Sequence, residues 1–253
     1  MDLGLNDKVF LITGGTKGLG LAAARALVAE GARVVISSRS QDAVDDAVAT
    51  LGGPEHALGT TADNADPQAA DRLVASALER FGRLDGVLIS VGGPPTGPIT
   101  TITDDQWRDS FESVFLGALR FARTAAPVLP ADGSIGFVLS LSVKSPWPNM
   151  SVSNGLRPGL AMAAKTLADE LGPRGIRVNG FIVGSIETDR LKGLEQATND
   201  PARTRADRTA NIPLRRYGTP DEFGRMAAVI LSPTASYITG TMLHIDGGAL
   251  RTL

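Results

Sequence analysis

Residues 9–20 read VFLITGGTKGLG, an apolar run of five residues that leads directly into a glycine-rich turn. Gly14, Gly18 and Gly20 permit a tight turn and let the backbone approach a ligand closely. The amphipathic run LAAARALVAEG follows, so the N-terminus of a helix is expected to point at the turn. A strand, a glycine turn and a helix in this order predict a site for the pyrophosphate of a dinucleotide. A tight connection without a ligand is the alternative interpretation.

The same alternation of strand-like and helical runs continues along the chain. After VFLIT, apolar runs recur as RVVISS, LDGVLIS, SIGFVLSLS, RVNGFIV and TMLHIDGG, with helical patterns between most of them. The early runs are continuously apolar, as expected for a sheet covered on both faces. We predict an α/β fold with one doubly wound parallel sheet and helices on both faces. No linker or repeat divides the sequence, so residues 1–253 are expected to form a single domain.

Composition excludes several kinds of site. The formal net charge is −2, with both signs interspersed, so nothing predicts binding to nucleic acid or to an anionic membrane. We expect a small-molecule substrate instead. Cysteine is absent, which excludes disulfides and thiolate ligands. His56 and His244 lie far apart, without carboxylates at ligand spacing, and no metal site is predicted.

The first residues, MDLGLNDKVFLITGG, lack the basic segment and cleavage pattern of a signal peptide. No apolar run approaches the ~20 residues that a membrane helix needs. We therefore expect a cytoplasmic protein.

The end of the second predicted strand bears on the choice of nucleotide. This strand ends in RVVISSRS, where a site for NAD usually offers a carboxylate to the adenosine ribose. Ser38 holds that position, and Arg39 beside it and Lys17 in the glycine turn supply positive charge for a 2'-phosphate. NADP is therefore favoured over NAD as the cofactor. Solvated surface cations are the alternative interpretation of Arg39 and Lys17.

A polar stretch from Glu187 to Asn211 has many charges and no clear strand period. A long segment of this kind is typical of a mobile lid over a site, and a lid is predicted around residues 187–211. A surface insertion without a function is the other interpretation.

Several long motifs together resemble the short-chain dehydrogenase/reductase family, and within it the 3-oxoacyl-[acyl-carrier-protein] reductase-like branch. They are TGGTKGLG, LDGVLIS, SIGFVLSLS, LADELGPRGIRVNGF and SPTASYITGTMLHIDGG, and they span nearly the whole chain. The resemblance implies a Rossmann-like domain with a sheet of about seven parallel strands. It also implies a homotetramer or homodimer that packs through its long helices.

The resemblance assigns cofactor contacts to three parts of the chain. Asp63 corresponds to the adenine-side loop, and Gly184 to Thr188 resembles the segment that contacts the nicotinamide carboxamide and phosphates. Arg157 stands where the family lysine holds the nicotinamide ribose. The residues predicted to bind the cofactor are Gly14, Thr16, Lys17, Gly18, Leu19, Gly20, Ser38, Arg39, Asp63, Arg157, Gly184, Ile186 and Thr188.

The catalytic positions depart from the family pattern. Laying LADELGPRGIRVN on that pattern places Ser153 at the family's catalytic tyrosine and Arg157 at its lysine. Ser140, thirteen residues before Ser153, matches the serine that orients the substrate carbonyl. Val114 stands where the family has an asparagine. Ser140, Ser153 and Arg157 are therefore the residues of the predicted catalytic site, in an atypical member that lacks the tyrosine-lysine pair.

These replacements change the chemistry expected of the site. A phenol with a pKa near 10 is brought toward neutrality by a nearby cation, whereas a serine hydroxyl is far more basic once ionised and is shorter. Arg157 can donate hydrogen bonds but stays protonated. Gly155, Pro158 and Gly159 predict a helix that begins later than in the family. Lys144 is an alternative acid, while Tyr217 and Tyr237 are expected to have structural roles.

Two functions remain open. The first is an atypical NADP-dependent oxidoreductase that transfers hydride to or from a small carbonyl, imine or enone-type substrate, with the proton supplied by water, Lys144 or the substrate. The second is a catalytically impaired NADP(H)-binding module or non-catalytic subunit. Consumption of NADPH on a panel of substrates distinguishes them.

Overall fold

The computed structural model describes residues 2–252 and contains a sheet of seven parallel strands in the order β3-β2-β1-β4-β5-β6-β7. The strands are β1 Val9–Thr13, β2 Arg33–Ser38, β3 Ala57–Thr61, β4 Gly86–Ile89, β5 Ser134–Val138, β6 Arg177–Val183 and β7 Met242–Ile245. The predicted fold class, an α/β doubly wound parallel sheet, is confirmed.

Helices connect successive strands on both sides of the sheet. They are α1 Gly18–Ala29, α2 Gln41–Thr50, α3 Ala69–Phe81, α4 Asp104–Ser110, α5 Gly117–Ala125, α6 Ser151–Leu171, α7 Asp189–Gln196, α8 Pro201–Ala210 and α9 Pro220–Leu231. A π-helical turn, Phe111–Leu116, joins α4 to α5. No helix within residues 2–252 is long and apolar enough to cross a membrane.

Two apolar layers form the core, one on each face of the sheet. Helices α3, α5 and α6 cover one face, where Leu73, Phe121 and Leu160 are buried against it. Helices α1, α2 and α9 cover the other, with Leu27, Ala47 and Phe223 buried there. This two-sided burial explains why the central strands are continuously apolar.

The strand order reverses at β1. The chain passes from β1 to β2 on one side, and β4 later pairs with β1 on the other. Connections that leave in opposite directions open a crevice at the carboxyl ends of these strands, where ligands of such sheets bind. The glycine turn that follows β1 therefore lies in this crevice.

The start of α6 corrects one expectation from the sequence. The helix begins at Ser151, not after the prolines and glycines, and Pro158 lies inside it at the eighth position. The Oγ of Ser151 donates to the carbonyl of Gly97 at 2.7 Å, and the side-chain amide of Asn154 bonds both backbone groups of Trp147. These contacts fix the first turn, so the prediction of a later start is wrong.

The polar stretch 187–211 is also more regular than its sequence indicated. It folds into α7 and α8, with Thr188 and Asp200 accepting bonds from the backbone N–H groups of Leu191 and Arg203. Both helices are short and carry few buried residues. The mobility expected of a lid stays a prediction.

Candidate nucleotide-binding cleft and active site

The glycine turn between β1 and α1 has the conformation that the sequence predicted. Gly14 and Gly18 have φ angles of +59° and +51°, which a residue with a side chain rarely adopts. A Cβ at Gly20 would lie 2.3 Å from the carbonyl oxygen of Gly14, so glycine is required for the helix to begin this close to the turn. Lys17 caps α1 without a side-chain hydrogen bond, which leaves the first N–H groups open to an anion. These features fit a dinucleotide diphosphate.

The opposite wall of the cleft is tied to the turn. The hydroxyl of Thr13 donates to the carbonyl of Ser90 at 2.8 Å and accepts from its N–H at 2.9 Å, which fixes the end of β1 beside the end of β4. Thr188, at the start of α7, lies against Gly18, so a Cβ added there would be 3.3 Å from its methyl group. The structure thus brings the predicted residues 14–20 and 184–188 together.

The residues that predict a choice between NADP and NAD lie at the end of β2. Arg39 and Lys17 are exposed, and neither forms an ion pair within residues 2–252. The Ser38 hydroxyl contacts the backbone of Ser40, which caps α2. Asp63, the predicted adenine-side residue, is exposed and accepts the N–H of Ala65 at 2.9 Å. The edge of the cleft therefore carries free positive charge at Lys17 and Arg39.

Ser140 follows β5 and begins a short 3₁₀ turn, Leu141–Val143. Its Oγ accepts from the N–H of Ser142 at 3.3 Å, and the residue is only partly buried. A hydroxyl so held keeps its own hydrogen free for another acceptor. Ser140 is therefore the serine of this group that a ligand can reach.

Ser153, in contrast, points into the protein. It is 1% exposed, and its Oγ lies 3.0 Å from the Oγ of Ser142, which also approaches the carbonyl of Ser153. Val114, at the position of the family's asparagine, is likewise buried, within the π-helical turn. The sequence reasoning missed Ser142, because its contact with Ser153 arises only when the loop after β5 folds back on α6.

Arg157 is the buried cation of the site. Its side chain comes from α6, and its Nη1 donates to the carbonyl of Val138 at 2.6 Å. Burial lowers the pKa of Arg157 to about 10, and the charge of Arg190 contributes in the same direction. The guanidinium therefore stays protonated at neutral pH and acts as a donor rather than as an acid.

The sequence reasoning also missed Arg190 in α7. Its guanidinium lies directly over Gly93, where an added Cβ would collide with it at 1.6 Å, and its Nη2 is 3.4 Å from the carbonyl of Pro94. Partial burial lowers the pKa of Arg190. In the sequence, Arg190 is one of many charges in a polar segment, and only the glycine at position 93 signals that something packs there.

Among the other candidate acids, Tyr217 is engaged elsewhere, and Lys144 and Tyr237 lie at the surface. Tyr217 is buried, and its hydroxyl donates to the Glu195 carboxylate at 2.6 Å. Burial, together with that carboxylate, raises the pKa of Tyr217 to about 12. Lys144 is exposed on the loop after Ser140, and Tyr237 is fully exposed. At neutral pH, Tyr217 is a structural hydrogen-bond donor rather than an acid–base group.

Known proteins resemble this chain over nearly its whole length. A family model described as enoyl-(acyl carrier protein) reductase matches residues 14–249. The human protein named dehydrogenase/reductase SDR family member 4 is 34% identical over 251 residues, which cover 96% of this chain and 88% of the human one.

Solved structures share the fold. The L-sorbose reductase of Gluconobacter frateurii, complexed with NADPH and L-sorbose, is 30% identical with a TM-score of 0.92 and full coverage of both chains. A short-chain dehydrogenase/reductase from Brucella melitensis, described as a glucose/ribitol dehydrogenase, is 29% identical with the same TM-score and coverage.

Proposed function

This chain belongs to the short-chain dehydrogenase/reductase family of oxidoreductases, and we propose that it is an NADP-dependent member whose proton chemistry is atypical. Its substrate is a small carbonyl, imine or enone-type compound. The observation that carries this proposal is the glycine turn with its open helix N-terminus, which has the shape and the donors for a dinucleotide diphosphate.

NADP is proposed as the cofactor from the charges at the edge of the cleft. Lys17 and Arg39 are free to bind a 2'-phosphate, and Ser38 introduces no repulsion. The relative from Gluconobacter is described with NADPH, which supports the same cofactor. When bound, a nicotinamide cofactor supplies or accepts the hydride.

Two residues of the chain, Ser140 and Arg157, are proposed to prepare the substrate side. Ser140 orients the substrate oxygen through its free hydroxyl hydrogen. Arg157 donates hydrogen bonds from the floor of the cleft and keeps its proton. Ser153 stands at the family's acid position, but its hydroxyl is engaged with Ser142 and shielded from the cleft, so it supports the local structure.

Water is proposed as the proton source. Losing a positioned general acid typically costs a factor of roughly 10² to 10⁴ in rate, so slow turnover survives the loss. Substrates that need little acid assistance, such as an activated imine or a conjugated alkene, suit this site better than a plain ketone.

Cofactor binding is tested first by calorimetry with NADPH and NADH, together with thermal unfolding. We expect NADPH to bind more tightly and to raise the melting temperature as the ligand concentration rises. Gly14→Ala should lose this binding, because its Cβ would lie 2.8 Å from the carbonyl oxygen of Ser90 at a positive φ. Gly172→Ala is the matched control, since nothing lies within 4 Å of its added Cβ.

Turnover is then measured as NADPH consumption on matched ketones, imines and enones. We expect slow reduction that favours the imines and enones. Tight NADPH binding with no turnover on any substrate would favour the non-catalytic binding module instead. Absence of binding to both nucleotides would overturn the proposal.

A further inference from the structure

Two arginines meet in the cleft without an acidic partner. Arg157 comes from α6 and is bonded at the end of β5, and Arg190 comes from α7 and packs over Gly93 in the loop that follows β4, the neighbouring strand. The charge of Arg190 also lowers the pKa of Arg157. Within residues 2–252 neither forms an ion pair with an aspartate or glutamate. Glu187, three residues before Arg190, is engaged by Arg205 instead. The pair therefore leaves two positive charges uncompensated.

Arg157 is positioned for a ligand rather than for packing alone. Arg157 is 6% exposed. Within the described residues, only Nη1 of its guanidinium donates a hydrogen bond to a protein acceptor. The other nitrogen atoms have no protein partner yet are not sealed from solvent. The acceptor of Nη1 is the carbonyl of Val138, two residues before Ser140, so this guanidinium lies at the same end of β5 as the hydroxyl proposed to orient the substrate.

Arg190 enters the cleft from α7, the first helix of the predicted lid. Its guanidinium packs over the backbone of Gly93, and its one polar contact is long, at 3.4 Å to the carbonyl of Pro94. Gly93 makes this placement possible, because any side chain there would collide with the guanidinium. A charged group held by packing, with a weak hydrogen bond, has most of its donors available.

Such an arrangement is unfavourable until an anion enters. A buried charge costs free energy unless it is paired, and two like charges in a low-dielectric cleft repel each other. A carboxylate offers two oxygens that match the planar fork of a guanidinium, and one lying between two guanidinium groups can accept from both.

The cofactor's diphosphate is the competing anion, but its cradle lies elsewhere. The open N–H groups of the first turn of α1 and the glycine turn face the end of β1, whereas Arg157 is bonded to the end of β5. The two strands are separated by β4 in the sheet. The pair is therefore away from the diphosphate cradle, at the end of the sheet where Ser140 follows β5.

We propose that Arg157 and Arg190 bind a carboxylate of the substrate, so that the substrate is a carbonyl, imine or enone-type compound that carries a carboxylate group. This inference rests on the proposed oxidoreductase function and narrows its substrates to small carboxylic acids, among which the carbonyl compounds are oxo acids.

The site is tested with oxamate, an unreactive analogue of an oxo acid, and with oxamide as its uncharged match. Calorimetry is run with the full chain, with and without bound NADP. We expect oxamate to bind the wild-type protein and oxamide not to bind. Arg190→Gln should weaken oxamate at least about tenfold, since it removes a charge-assisted pair of bonds. Lys192→Gln, which removes the same charge from the same helix, should leave oxamate binding within about twofold.

Arg157→Lys is the second variant, because it keeps the positive charge in the buried position and loses the planar fork. We expect it to fold, as judged by circular dichroism, and to weaken oxamate severalfold. No binding of oxamate to the wild type, equal binding of oxamate and oxamide, or equal loss in Arg190→Gln and Lys192→Gln would overturn the carboxylate site.

The nucleotide titration separates the two proposals. If Arg190→Gln weakened the binding of NADPH tenfold and left the affinity for oxamate unchanged, the two arginines would bind a cofactor phosphate. The inference would then be wrong. If the wild type bound no nucleotide, the proposed function would fail, and the oxamate titration without NADP would still decide the carboxylate site. Reduction of pyruvate against its methyl ester gives the kinetic counterpart, with the acid expected to be the better substrate.

Discussion

The hydroxyl of Ser153 is buried and is hydrogen-bonded to the hydroxyl of Ser142. A side chain that is 1% exposed and hydrogen-bonded to a neighbouring serine does not contact a substrate. We therefore propose that Ser153 is a residue of the local structure rather than a weak substitute for the phenol expected at this position.

Ser153→Ala measures that role. We expect a loss of about 1 kcal/mol in the free energy of unfolding, because one buried hydrogen bond to Ser142 disappears. Turnover should change by less than tenfold. Denaturant unfolding and steady-state rates at saturating NADPH provide the two measurements. A loss of a hundredfold or more in turnover, with stability unchanged, would make Ser153 the proton donor after all.

Ser38 controls the preference between nucleotides in our proposal. Ser38→Asp places a carboxylate at the end of β2, where it repels a 2'-phosphate and can accept from the ribose hydroxyls of NAD. We expect the Kd for NADPH to rise at least about tenfold and the Kd for NADH to fall. Gln41→Glu, an exposed site at the start of α2, adds the same charge as a control. If Ser38→Asp changed the Kd for NADPH and the Kd for NADH in the same direction, position 38 would not discriminate between the two nucleotides.

Local pattern explains why part of the site was predictable and part was not. The roles of Gly14, Gly18 and Gly20 were predictable because the strand, the turn and the following helix are contiguous in the sequence. The positive φ angles of Gly14 and Gly18 agree with that prediction. The contact of Ser142 with Ser153 joins a loop to the following helix, and that of Arg190 with Gly93 joins segments far apart in the chain. No propensity or spacing encodes such contacts, since they depend on how the elements pack.

Helix α6 shows the same limit for a whole element. Its glycines and Pro158 indicated a later start, yet Gly155 and Gly159 serve packing instead. A Cβ at Gly155 would lie 2.8 Å from the ring of Trp107, and one at Gly159 would lie 3.2 Å from Phe115. The glycines let α4 and the π-helical turn approach α6, and tertiary contacts override a weak helical preference.

Pro158 should be the costly residue of α6. At the eighth position it has no N–H for the carbonyl of Asn154, and a proline in a helix interior costs up to about 3 kcal/mol. Pro158→Ala is expected to raise the melting temperature by several degrees. Pro201→Ala is the matched control, because Pro201 is the first residue of α8, where proline is well tolerated. Equal shifts of the melting temperature in the two variants, measured by scanning calorimetry, would show that Pro158 does not destabilise α6.

Helix α7, part of the predicted lid, is held to the body of the protein by Tyr217. Its hydroxyl donates to the buried Glu195, and Arg205 covers its ring at 4.7 Å. Because burial raises the pKa of Tyr217 from 10 to about 12, the folded protein holds this proton more tightly than the unfolded chain. The resulting stabilisation is complete below pH 10 and is lost as the pH rises through 12.

Tyr217→Phe removes that donor and leaves a buried carboxylate without it. We expect faster tryptic cleavage at the arginines of α8 and a smaller loss of stability between pH 10 and 12 than in the wild type. The proteolysis assay is run at neutral pH and the unfolding assay across the alkaline range. Unchanged cleavage and an unchanged alkaline slope would mean that α7 is fixed by other contacts.

At the scale of the whole molecule, the fold follows from a pattern that repeats along the chain. Each central strand is apolar on both faces, because helices α3, α5 and α6 cover one side and α1, α2 and α9 the other. That requirement applies to every strand, so one unfavourable residue in a covering helix, such as Pro158 in α6, does not change the fold. This is why the sheet was predictable from sequence while α7 and α8, which bury little, were not.

One part of the surface remains apolar after the core is built. Phe111 is 42% exposed and stacks on Phe115 with ring centroids 5.2 Å apart, and Met162 is 65% exposed on α6. Phe115 packs over Gly159, one turn before Met162, so these side chains occupy neighbouring stretches of two elements. We propose that a second copy of the chain covers this patch, in a homodimer or homotetramer that packs through its helices.

Met162→Glu places a charge in that patch. We expect the wild type to behave as a dimer or tetramer in size-exclusion chromatography with light scattering, and the variant to shift to a smaller species. The charge would be desolvated in the interface, whereas it is solvated in a monomer. Ile99→Glu adds the same charge at a side chain that is 67% exposed but lies in the loop before α4, and it should leave the mass unchanged. A wild-type monomer, or dissociation by both variants alike, would exclude this patch as the interface between subunits.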